Sequence, residues 1–148
     1  MALLKLIALD PSDLSVVSAH LQDAVLKVAD VAYDGRSNRF ALHANRFDWQ
    51  AAEADGAVRR RHRAALRIER VTRVLSHGFD PKDRSAVLSI LALTFAAEAD
   101  PMLAPGGTLT ITCAGAATLR LSVECVELAL EDLGPEWQAG GIPQHPDD

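Results

Sequence analysis

An α+β fold with about seven mostly antiparallel strands, an early helix and a C-terminal helix is what this amino-acid sequence predicts. Three observations carry that expectation. Apolar residues alternate with polar ones in several short runs bounded by turn formers. Two other segments, after Asp10 and after Cys125, place apolar residues at helical spacing. Short connections between successive strands favour antiparallel pairing, as a sheet or a small barrel. A barrel capped by its last helix, similar to a pleckstrin-homology-like fold, is the specific form expected.

Leu3 to Leu9 is apolar and is stopped by Pro11, which suits a strand. Asp10-Pro11-Ser12-Asp13 then opens a helix. Asp10 can cap it, proline fits the first helical position, and Asp13 favours the positive end of the dipole. Leu14, Val17, Ser18, Leu21 and Val25 follow as one helical stripe. From Lys27 the period changes. Residues 27–33 and 39–49 flank the turn formers Asp34-Gly35-Arg36-Ser37-Asn38, predicting a hairpin. Phe40, Leu42 and Ala44 make its buried face. Phe47 and Trp49 sit at the opposite parity, so a bulge near Asn45-Arg46 is expected to return them to that face.

Residues 50–58 are small and acidic and read as a loop. Between 62 and 77, Ala64, Leu66 and Ile68 alternate as in a strand, while Ala64, Ile68, Val71 and Leu75 also fit a helix. The strand, bent near Glu69-Arg70, is the better match. Gly78 to Ser85 is a turn. Val87 to Phe95 is apolar at both parities, which predicts a central strand covered on both faces. Ala97 to Gly107, rich in proline and glycine, is a surface loop. Leu109, Ile111 and Cys113, then Leu119, Leu121 and Val123, form a second hairpin, with Cys113 expected opposite Leu119. Val126, Ala129, Leu130 and Leu133 return to helical spacing before Gly134-Pro135.

At 148 residues the chain suits one domain, 1–135, followed by a polar, frayed tail, 136–148. A domain of this size buries enough surface to need no disulfide or metal. MALLKLIALD lacks a basic lead, is interrupted by Lys5 and ends at Asp10-Pro11, so it is not a secretory signal. No apolar stretch approaches the ~20 residues of a membrane helix. A cytoplasmic protein with no membrane attachment is expected, with Cys113 and Cys125 as unbonded hydrophobes.

Motifs for chemistry are missing. His20, His43, His62, His77 and His145 never fall three to five residues apart, and the cysteines form no Cys-x-x-Cys pair. Neither a metal site nor a cofactor is expected, and no catalytic residue is assigned. Glu124, Glu127, Glu131 and Asp132 read as a solvated helix face. His43 lies beside Arg39 and Asn45 on the outward parity of its strand, as a solvated sheet face would.

Charge is unevenly distributed. Residues 59–73 hold Arg59, Arg60, Arg61, Arg63, Arg67, Arg70 and Arg73 against Glu69 alone, a net +6. Residues 98–148 hold nine acids and only Arg120, a net −8. Arginine suits bidentate contacts with carboxylate or phosphate. The competing explanation is that this basic strand neutralises the acidic half within the fold. A pI near 5.5 and few aromatics disfavour nucleic acid.

Four stretches, LKLIALDPSDLSVVSAHLQDAV, RFALHANRFDW, RRRHRAALRIERV and LSVECVELALEDLGPEW, resemble a family of small alphaproteobacterial proteins, domain-of-unknown-function family 2948. The similarity covers nearly the whole chain, with Ala19-His20-Leu21-Gln22-Asp23-Ala24 its most specific element. It implies no activity, cofactor or catalytic residue.

Two readings follow. The first is a non-enzymatic binding or assembly module whose contact face carries Arg59, Arg61, Arg63 and Arg67, acting as a homodimer or on a protein or anionic partner. The second is a small-molecule enzyme with a site around His20, Gln22 and Asp23, or a weak nucleic-acid binder. The first is preferred.

Overall fold

The computed structural model describes residues 3–47 and 61–134. Asp10 caps helix α1 (Pro11–Leu21), accepting the Asp13 amide at 3.0 Å, and Pro11 takes the first turn. Leu14, Val17 and Leu21 bury one stripe of α1, which packs chiefly on β7 and also on β1 and β4.

Strands β1 (Lys5–Ala8), β2 (Val25–Lys27), β3 (Val31–Asp34), β4 (Arg39–Phe47), β5 (Arg61–Ile68), β6 (Val71–His77), β7 (Val87–Ala97), β8 (Gly107–Cys113), β9 (Ala117–Val123) and β10 (Leu128–Asp132) pair antiparallel. Their order is β1-β10-β5-β4-β2-β7-β8-β9-β6, with β3 also on β4. The path ends at β1 and β6, so the sheet is not a closed barrel. The buried side chains form one contiguous cluster spanning both halves of the sheet.

The described residues therefore hold ten strands where about seven were expected. A 3-10 turn, Val28–Asp30, divides the first arm of the hairpin into β2 and β3. The expected C-terminal helix is a strand. β10 lies between β1 and β5, with Leu130 opposite both Leu6 and Leu66. Backbone bonding on two sides outweighs the marginal helix that so short a segment could form. With that helix goes the cap of the pleckstrin-homology-like form. The tail 136–148 and the loop 50–58 lie outside the described residues.

The segment 62–77 is β5 and β6, parted at Glu69-Arg70, where Arg70 adopts φ 59°. That bend carries the chain from the β4–β5–β10 half to the edge beside β9. No bulge occurs at Asn45-Arg46: the β4–β5 register runs unshifted to Phe47 opposite Arg61. Arg46, not Phe47, thus continues the core-facing row. Trp49 lies outside the described residues.

In the second hairpin Cys113 faces Ala117 and Ile111 faces Leu119, two residues short of the expected register. The turn is Ala114–Ala116, with Gly115 at φ 77°, and the apolar face is the same. β7 is central in pairing, yet Val87 and Leu91 remain 61% and 45% exposed. A bulge between Ile90 and Ala92 ends the strict alternation there.

Candidate functional site

Leu66 and Ile68 of β5 are buried, so Arg61, Arg63 and Arg67 stand on its other face. Register extends this outer face across four strands. Ala41, Arg67, Ala129 and Ile7 form one cross-strand row; His43, Ala65, Glu131 and Lys5 form the next. The alanines keep the floor low. At its β1 end Ile7 and Leu9 are 59% and 66% exposed. They flank a cleft of about 350 Å³ whose opposite rim is Arg39, Arg67, Glu69 and Glu127.

The rim is made of ion pairs within the chain. Arg39 Nε donates to both oxygens of Glu69 at 3.0 Å, and Arg67 Nε donates to the same carboxylate at 3.1 Å. Arg70 Nε reaches Glu127 at 3.2 Å, with Glu124 3.9 Å from its Nη1. The Glu127 bond raises the Arg70 pKa above its ordinary value. Arg63 Nη2 meets Asp30 at 3.3 Å, and Arg61 lies 5.8 Å over the Phe47 ring. Of the arginines between 59 and 73, Arg63, Arg67 and Arg70 are thus answered by acids inside the fold, Arg70 drawing on acids of the C-terminal half. Arg59 lies outside the described residues.

His43 shares this face. Burial lowers its pKa and the Arg63 charge lowers it further, against a smaller opposing effect of Asp30. The neutral imidazole is therefore favoured.

His20, Gln22 and Asp23 stand elsewhere, at the C-terminal end of α1. His20 is half-buried in the last turn, Gln22 is the C-cap, and Asp23, at φ 67°, donates its amide to Ile90 of β7. The structure brings these three together through chain adjacency and leaves them apart from the β5 arginines. Among the described residues no three His, Cys, Asp or Glu side chains converge as metal ligands would.

Arg46 and Asp132 escaped the sequence reading, which placed Asp132 on a solvated helix face and Arg46 only at an expected bulge. Arg39, Glu69, Ile7 and Leu9 also belong to the face. The parity of Arg39 was legible; its convergence with Glu69 depends on the bend at Arg70.

These features define an α+β protein with an open antiparallel sheet and a mixed-charge outer face. The chain matches the family described as Protein of unknown function (DUF2948) over residues 4–145, nearly its whole length, and belongs to it. No curated protein and no solved structure matches the chain.

Proposed function

We propose that the chain is a non-enzymatic assembly module, a single cytoplasmic domain, that forms a homodimer through the outer face of β4, β5, β10 and β1. The observation that carries this reading is the juxtaposition of exposed Ile7 and Leu9 with a rim bearing both signs of charge. A twofold interface sets one patch against itself, so the patch must complement its own copy. Lys5, Arg39, Arg67 and Arg70 alternate there with Glu69, Glu124, Glu127 and Glu131. A polyanion partner would instead favour a face of one sign. Arg61, which meets no acid among the described residues, extends the contact to the far end of β5. The low alanine floor lets two sheets approach closely.

Light scattering tests the reading directly. The wild-type chain should show the mass of a dimer. Ile7→Glu should show that of a monomer with an unchanged circular-dichroism spectrum, because Ile7 is exposed and supports no core contact. A monomeric wild type, or a dimeric Ile7→Glu variant, overturns it.

A further inference from the structure

The open seam of the sheet offers a different surface. Among the described residues β6 pairs with β9 on one side only. Across the seam lies β3, held to the start of β6 by Tyr33 Oη, which donates to the Val71 carbonyl at 2.8 Å. The Val71 amide is likewise taken, by the Asn38 carbonyl at 2.8 Å. Beyond that point, among the described residues, the backbone of Thr72–His77 makes no hydrogen bond outside its ladder with β9. An unsatisfied strand edge is a template for another strand.

The two faces flanking that edge differ sharply. Inward, Val74 and Ser76 of β6, Val31 and Tyr33 of β3, and Phe79 line a crevice of about 80 Å³. That is room for one small aliphatic side chain. Outward, Arg73 stands opposite Ser122, Leu75 opposite Arg120, and His77 opposite Thr118. The row continues onto β8 with Thr108, Thr110 and Thr112. Strands β6, β8 and β9 contain no acidic residue, and among the described residues neither Arg73 nor Arg120 meets an acid. In a chain of net charge −5, this is a local cationic surface whose charge no acid answers among the described residues.

We propose that the β6 edge binds an extended acidic peptide segment of a partner protein as an added strand. Alternation along such a strand matches what the edge presents. Outward acidic side chains meet Arg73 and Arg120, and an inward aliphatic side chain enters the crevice. A second copy of the chain is disfavoured as the occupant, because pairing β6 with its own copy would set one cationic face beside another and double the local charge. Nucleic acid is disfavoured because Phe95 faces inward beside Leu109, and among the described residues β6, β8 and β9 carry no aromatic platform for bases. This site is independent of the dimer face.

The probe is a capped, fluorescein-labelled hexapeptide of alternating glutamate and valine, followed by anisotropy. Saturable binding is expected, weakened at least tenfold by Arg73→Gln and by Arg120→Gln, and retained by Ile7→Glu. Both glutamine variants alter exposed side chains, and circular dichroism confirms their folding. Methylating alternate peptide amides removes the ladder donors without changing charge and should abolish binding. Failure of the wild type to bind overturns the proposal. So does equal binding of the methylated peptide, which would make the contact electrostatic only, or stronger binding of a (dT)12 oligonucleotide, which would assign the face to nucleic acid. Each outcome leaves the dimer measurement untouched.

Discussion

Arg46 and Asp132, 86 residues apart in the chain, form a bidentate ion pair inside the sheet: Nε to Oδ1 at 2.7 Å and Nη2 to Oδ2 at 2.8 Å. Their side chains are 4% and 0% exposed. The pair completes the core-facing row where β4 and β10 end, and Asp132 also accepts the Leu4 amide at 3.0 Å, tying β1 to the same point. Burial raises the Asp132 pKa, but the Arg46 bond, the Leu4 amide and the charges of Arg46 and His62 outweigh it, and the carboxyl lies below its ordinary value.

Removing one partner leaves the other buried and unpaired. Asp132→Ala should cost about 3–5 kcal/mol in a denaturant titration, as broken buried pairs do. The double variant Arg46→Met/Asp132→Leu should recover most of that loss. A double-mutant cycle with no coupling would contradict the bond described.

Two glycines of positive φ separate strain from crowding. Gly78, at φ +81°, ends β6 beneath the turn Ala114–Ala116, and a Cβ there would overlap the Ala116 carbonyl oxygen. Gly115, at φ +77°, has nothing within 4 Å of the same atom. Gly115→Ala should cost about 1–2 kcal/mol, the left-handed penalty alone. Gly78→Ala should cost distinctly more, because backbone must move as well. Equal losses on thermal unfolding would refute the close approach of β6 to that turn.

Acid should destabilise the protein through His43 before it does so through Asp132. The folded pKa of His43 lies below its unfolded value near 6.5. Its contribution is therefore complete above about pH 6.5 and is lost as pH falls from there through the folded pKa. Asp132, also depressed, contributes above its unfolded value near 3.8 and is lost only below it. The His43→Gln variant should flatten the stability profile just below about pH 6.5 and leave the steeper acid limb in place. An unchanged slope in that window would disprove the environment assigned to His43.

The two cysteines should react in a fixed order. Burial pushes the Cys113 thiol up to about 11, and its side chain faces the core from the last position of β8. Cys125 is partly exposed. At pH 8, a thiol reagent should modify Cys125 readily and Cys113 only on unfolding, since the thiolate is the reacting form. Simultaneous modification of the native chain would show that the β8–β9 turn opens.

How much of this was readable from the chain follows from where the information resides. The Asp10-Pro11 start of α1, the hairpin around Asp34–Asn38, the alternation of Ala64, Leu66 and Ile68, and the outward parity of Arg61, Arg63 and Arg67 are local, set by side-chain chemistry within a few residues. The sequence by itself determined those elements and their faces. Val126–Leu133 carried an equally local helical pattern and became a strand, because β1 and β5 supply hydrogen bonds on both sides of it. Whether Arg67 is a free cation or one arm of a clasp on Glu69 depended on a single left-handed residue, Arg70. The burial of Arg46 depended on Asp132 arriving from the far end of the chain. Tertiary structure alone decided these, since a register between strands distant in sequence is fixed by the pairing of whole faces, and no single segment contains both partners.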